Sequence, residues 1–418
     1  MTRVLLHTFG CKANQYDTEV LRQALESAGA TIVARPEDAD AAVVNSCTVT
    51  HVGEGKLRGF IRRLARRQPG IRTVVVGCAA ALDDGPLASL PNVAGVFGGA
   101  EPGPVLRTLS LPAGEVPRGL RTFQRGTRAW LKVQDGCDEH CTFCATTLAR
   151  GANRSRPLED ILAEARVLGA RHAEIVLTGV HIGTYGRDLG PGHSLGHLVE
   201  CLAERVPDVR FRLSSVEATE VDDRLARLMR TAPDRLAPHL HAPLQSGSDP
   251  VLRRMGRHWY AADHYCCRIE ALAAAMPVFG LGADVMVGFP GESEADFART
   301  CAVVESLPFT YLHVFPYSER PATSAAKLGR PVEPAAMQER AAILRTLARQ
   351  KGDAYRRERG ATVADVVTLT RAAGWYEGLT EDYLSVRWPA DALPPPRFAA
   401  RIVWESGGTL RACREDAA

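Results

Sequence analysis

Apolar residues recur along the chain in two alternating rhythms. RVLLHTF before Cys11, DAAVVNS before Cys47 and RTVVVG before Cys78 are short, nearly continuous runs, the pattern of strands buried on both faces. Between them, TEVLRQALESAGA and GKLRGFIRRLARRQPG carry apolar side chains at helical spacing and stop at glycine or Pro-Gly. Strands alternating with helices predict an open parallel α/β sheet. All three cysteines then follow the carboxyl ends of strands, the edge where such sheets hold ligands, so residues distant in sequence can meet there.

The rhythm breaks over residues 111–127, where Pro, Gly and Arg dominate without a period, as in a domain linker. A second series follows, with strands expected at 129–134, 173–179, 209–215, 236–245, 281–289 and 311–318 and helical segments between them. Six such units predict a partial (β/α)6 barrel whose chemistry lies at the strands' carboxyl ends. A charged helix leads into TVADVVTLT, YLSVRW and FAARIVW, short β-rich runs that predict a small β-barrel. The expected division is 1–110 for an N-terminal α/β domain, 111–127 for the linker, 128–355 for the barrel and 356–418 for the small β-barrel. Modules of that last kind bind irregular nucleic acid, though fold alone does not decide it.

With 418 residues and 45% hydrophobic composition, the chain can fill more than one core. No run of 18 apolar residues and no signal-peptide cleavage pattern is present, so a cytoplasmic protein without a membrane partner is expected. The net charge of +3 excludes little, but only five of 51 basic residues are lysine. Codon bias towards arginine accounts for much of that, and phosphate contact is the alternative. Arg58, Arg62, Arg63, Arg66, Arg67 and Arg72 fall on or beside one helix, either a solvated face or a contact for nucleic-acid phosphates. Trp375, Tyr376, Tyr383 and Trp388 are candidates either for stacking on bases or for the core of the small barrel.

Eleven cysteines in such a chain point to metal or redox chemistry rather than disulfides. The sharpest signal is GCDEHCTFC, in which Cys137, Cys141 and Cys144 can hold three corners of an iron–sulfur cube and leave one iron for a non-protein ligand. Zinc, with His140 as fourth ligand, is the rival reading.

GCDEHCTFC resembles the cluster loop of the radical S-adenosylmethionine (SAM) superfamily, whose open iron binds SAM. TFGCKANQYDTE, VVNSCTVT and VVVGCAA resemble the N-terminal domain of the methylthiotransferases, and HLHAPLQSGSDPVLRRMGR, ADVMVGFPGESEADF and HVFPYSERPAT continue that family's order. EGLTEDYLSVRW resembles its C-terminal TRAM module. The resemblance implies two 4Fe-4S clusters, one on Cys137, Cys141 and Cys144 with SAM, and an auxiliary one on Cys11, Cys47 and Cys78 through which sulfur reaches the substrate. It implies SAM contacts at Phe143, Thr178, Gly179, Ser214, Glu217, Gln245 and Gly288, and a 5′-deoxyadenosyl radical that abstracts hydrogen from an unactivated carbon. GCKANQYDTE most resembles the branch that converts N6-threonylcarbamoyladenosine beside the tRNA anticodon, at position 37, to its 2-methylthio derivative. Its implied partners are tRNA, a sulfur donor and an electron donor such as flavodoxin or ferredoxin. Alternatives are the same chemistry on isopentenyladenosine or on an aspartate of a ribosomal protein, and a non-catalytic iron–sulfur RNA-binding protein.

Overall fold

The computed structural model describes residues 1–47, 51–112, 119–320, 323–372, 374–390, 394–405 and 407–414. Residues 48–50 of the second cysteine motif, 113–118 of the expected linker and 321–322 of HVFPYSERPAT lie outside them.

The N-terminal region is a five-stranded parallel sheet. Its strands are β1 (Arg3–Thr8), β2 (Thr31–Val33), β3 (Ala41–Ser46), β4 (Arg72–Gly77) and β5 (Val93–Phe97), in the order β2-β1-β3-β4-β5. β3 is central and buried at every position, which is why DAAVVNS carries no polar alternation. β2 and β5 escape the sequence pattern because they are short, half-exposed edge strands. Helix α1 (Lys12–Ser27) starts six residues before the periodic run, since its buried face there is polar: Asn14, Asp17 and Thr18. Helix α2 (His51–Arg67) follows β3. The strand order reverses direction between β1 and β3, and at such a switch point the loops diverge to leave a crevice.

The barrel strands β6 (Arg128–Lys132), β7 (Glu174–Thr178) and β8 (Arg210–Leu213) form one parallel ladder, and β9 (His239–His241), β10 (Gly280–Val287) and β11 (Tyr311–Pro316) another. Parallel bridges from Phe211 to Leu236 and from Ser215 to His241 join them, giving a six-stranded arc from β6 to β11. β9 is much shorter than the expected 236–245 because Pro238 and Pro243 flank it and cannot donate to a ladder. Helix α1 packs beside β6, where Asp17 pairs with Lys132 and with Arg150 and the Tyr16 hydroxyl donates to Glu164 at 3.1 Å. The N-terminal sheet is thereby fastened to the barrel's first strand.

Helix α3 (Pro334–Arg359) packs on β11 and runs through residue 355 to the last region. There β12 (Val363–Ala372), β13 (Trp375–Leu379), β14 (Ser385–Pro389), β15 (Arg397–Trp404) and β16 (Leu410–Arg414) close a barrel in the order β12-β13-β14-β16-β15. Tyr376 and Trp388 are buried in its core, and Trp375 lies half-buried beneath the Arg387 guanidinium.

The turn from Thr380 to Tyr383 leaves this small barrel and enters the amino end of the larger one. Glu174, fully buried on β7, accepts bonds from Arg210 at 2.8 Å and Arg212 at 2.9 Å. Arg212 also donates to the Thr380 and Glu381 carbonyls, both at 2.9 Å, and Arg210 to that of Asp365 at 2.8 Å. The backbone of Asp382 lies so close to Gly280 that any Cβ there would overlap it. Two of the three guanidiniums that neutralise this barrel carboxylate, the third being Arg128, thus also clasp the neighbouring domain.

Candidate active site

Three of the cysteines are preceded by glycine with a left-handed backbone: Gly10 at φ +129°, Gly77 at +93° and Gly136 at +72°. A Cβ on Gly77 would strike the Asn45 side-chain oxygen, and one on Gly136 the Ala152 carbonyl. Asn45 belongs to an interlock at the switch point. Asn14 donates to Asn45 Oδ1 at 2.9 Å, Asn45 Nδ2 donates to the Asn14 carbonyl at 2.9 Å, and Asn14 Oδ1 faces Cys11 Sγ at 3.2 Å. The loops after β1, β3 and β4 are thereby held together.

One cavity of about 520 Å³ touches all six motif cysteines: Cys11, Cys47 and Cys78 from the sheet, and Cys137, Cys141 and Cys144 from the loop after β6. All six are free thiols. Among the described residues no three of their sulfurs lie within 4.8 Å of one another, whereas ligands of one tetrahedral zinc ion would. His140, the zinc alternative's fourth ligand, is exposed. The donor set fits iron–sulfur clusters.

Cations stand beside these thiols. Arg150 Nε donates to Cys78 Sγ at 3.2 Å, Arg257 lies 3.7 Å from Cys141 Sγ, and His181 Nδ1 lies 3.5 Å from Cys137 Sγ. Burial pushes the Cys141 thiol up to about 12 despite Arg257, and raises that of Cys78 despite Arg150. Burial alone would lower His181, but its bonds to Cys137 and Glu220 raise it to about 10. Buried sulfurs of this kind become thiolates only with positive charge nearby, and bound iron with these flanking cations provides it. Arg150 and Arg257 lie in segments without periodic signal, and only their convergence in space marks them.

Of the residues expected at SAM, Phe143, Thr178, Gly179, Ser214, Glu217 and Gln245 line this same cavity. Gly179 has no room for a side chain, since a Cβ would come within 2.6 Å of the Gln134 carbonyl. Glu217 is buried and ion-paired with Arg257 through one oxygen, while Oε2 has no hydrogen-bond partner. Burial raises its carboxyl, and the orphaned oxygen suits a hydroxyl-bearing ligand such as a ribose. Gly288 is placed apart. At φ +77° it packs against Met337, and its amide donates to Glu292 at 2.7 Å. A tight turn after β10 explains that glycine.

The cavity continues into the barrel as a polar chamber that the sequence motifs do not reveal. Asp284 accepts from His241 at 3.1 Å and His313 at 3.3 Å, and these bonds hold its carboxyl well below the usual range in spite of burial. Tyr311 bonds both His239 at 2.9 Å and His241 at 3.1 Å. Tyr383, at φ +73°, stacks on His239 with ring centres 4.4 Å apart. Lys12, the first residue of α1, also lines the chamber, and burial with Arg128 and Arg212 nearby brings its ammonium down to about 8. Charged and hydroxylated residues inside apolar strand runs, such as HLHAPLQ and ADVMVGF, were the available signal.

Sequence comparison agrees with this architecture. Residues 3–98 match the uncharacterized protein family UPF0004 and residues 131–304 the radical SAM superfamily. The fold also resembles a radical SAM methyltransferase, TsrM from Kitasatospora setae, solved with cobalamin and a [4Fe-4S] cluster, at TM-score 0.56 and 14% identity over 90% of this chain and 81% of that one. This is a radical SAM enzyme, which uses a 4Fe-4S cluster and SAM. The threonylcarbamoyladenosine tRNA methylthiotransferase MtaB of Thermotoga maritima is 38% identical over 85% of this chain and 84% of its own. A tRNA-2-methylthio-N(6)-dimethylallyladenosine synthase of Parafrankia is 37% identical over 82% and 73%. The chain belongs to the radical SAM methylthiotransferases and is of the MtaB type.

Proposed function

We propose that this chain converts N6-threonylcarbamoyladenosine beside the tRNA anticodon to its 2-methylthio derivative. The observation that carries the reading is the single cavity in which two sets of three thiols, the residues expected at SAM and a polar chamber converge. With both clusters and SAM bound, that site would supply one-electron chemistry to open an unactivated carbon–hydrogen bond and deliver sulfur to it.

The chain's own residues have separable tasks. Cys137, Cys141 and Cys144 hold the SAM-associated cluster, and Cys11, Cys47 and Cys78 the auxiliary one. Arg257 balances thiolate charge at Cys141 and fixes Glu217, whose second oxygen remains free to accept from a ligand. Phe143, Thr178, Gly179, Ser214 and Gln245 border the SAM position, within walls drawn from the ends of the barrel strands. tRNA is the substrate, and a separate electron donor and sulfur donor are required.

Nucleoside mass spectrometry of tRNA from a deletion strain tests the reading. Loss of the methylthio group from threonylcarbamoyladenosine, with isopentenyladenosine derivatives unchanged, is the expected result; the converse pattern assigns the enzyme to the other base.

A further inference from the structure

The cavity wall holds several cations, and nearly all are neutralised within the protein. Arg150 pairs with Asp17 at 2.9 Å and Asp135 at 3.0 Å, Arg257 with Glu217, and His181 with Glu220 at 2.9 Å. The carboxylate deeper in the chamber, Asp284, is already bonded by the His241 and His313 rings. Lys12 differs: among the described residues no carboxylate lies within 4.0 Å of its ammonium, which makes no hydrogen bond. Its place on α1 sharpens the anomaly. The start of a 16-residue helix favours negative charge, yet the first turn carries a lysine, no acidic residue and no capping side chain. A half-buried ammonium with no carboxylate in contact, Glu174 acting on it only from a distance, costs stability, and sites that break local rules in this way tend to be functional.

From this we infer that Lys12 is the cationic half of a subsite for a carboxylate carried on the substrate base, the carboxylate of the threonylcarbamoyl group. The inference rests on the reading above and adds how the base would be selected. Lys12 supplies the charge, while Tyr311, Tyr383 and His241 line the same cavity and offer hydroxyl and ring surfaces suited to a small polar substituent. An apolar isopentenyl group entering the same chamber would leave the ammonium desolvated and unpaired, which disfavours it.

The test uses reconstituted full-length enzyme and an anticodon stem-loop carrying threonylcarbamoyladenosine, as the free acid or as its methyl ester. Wild type and Lys12→Gln are reconstituted in parallel, their iron content and cluster absorption are measured, and the kinetics are then compared per loaded enzyme. Wild type is expected to show a KM for the ester at least tenfold above that for the acid, and Lys12→Gln to treat the two alike. Equal KM values in wild type, or undiminished discrimination in Lys12→Gln, would overturn the subsite. So would loss of half the iron in Lys12→Gln, because Lys12 would then be serving the auxiliary cluster. If wild type modifies neither stem-loop but accepts an isopentenyladenosine one, the substrate reading itself has failed.

Discussion

At the scale of single residues, the Gly-Cys pairs show how small the tolerance at this site is. Gly77 combines a left-handed backbone with Asn45 at the place a Cβ would occupy, so Gly77→Ala introduces strain of about 1–3 kcal/mol at Cys78. The expected outcome is a protein that loses about half its reconstituted iron while still cleaving SAM, read by iron analysis and 5′-deoxyadenosine formation. Cys137→Ala has the opposite signature and should abolish SAM cleavage, whereas changing Cys11, Cys47 and Cys78 together to Ala should spare cleavage and end methylthiolation. Persistent cleavage in Cys137→Ala, or thiolation in the triple variant, would contradict the assigned roles. Burial also lowers His239 far below the ordinary histidine range, so the unfolded chain binds a proton there that the folded one refuses. Stability on this account is present above the unfolded pKa of about 6.5 and is lost as pH falls through it. Thermal melts between pH 7.5 and 5.5 should therefore fall less steeply for His239→Gln than for wild type.

At the scale of elements, the long regular pieces were legible and the short ones were not. β4 coincides with RTVVVG because an interior strand must be apolar throughout, and the three cysteines at strand ends followed from the alternation of strand and helix alone. β2, β5 and the curtailed β9 lack enough apolar residues to set a period, and the early start of α1 is masked by its polar buried face. Contacts made across the fold, such as Arg257 with Cys141 or Lys12 with the chamber, leave no trace in local spacing. Helix α2 is a case where sequence left two readings. Arg62, Arg63, Arg66 and Arg67 are exposed and make no ion pair among the described residues, as a phosphate-binding face requires. Replacing all four with Gln should weaken tRNA binding, and every phosphate that is no longer neutralised should reduce the slope of log K against log salt by roughly 0.7–0.9. An unchanged slope would return the helix to the status of a solvated face.

At the scale of the whole molecule, the joint between barrels is ionic and buried. Glu174→Ala would leave Arg212 a buried cation without a carboxylate and Arg210 with Asp365 alone, a loss of about 3–5 kcal/mol, and should lower the melting temperature of the whole chain rather than of one domain. A separate, unshifted melting transition for the barrel would argue against that coupling. The sequence indicated a TRAM-like C-terminal β-barrel, and nothing in EGLTEDYLSVRW shows that its turn enters another domain. Yet Tyr383 lines the reaction chamber and stacks on His239. A module expected to grip RNA thus forms part of the vessel in which the reaction takes place. Shortening the chain before residue 380 would therefore open the chamber from below, and grafting a foreign RNA-binding domain in its place would restore attachment without restoring the reaction.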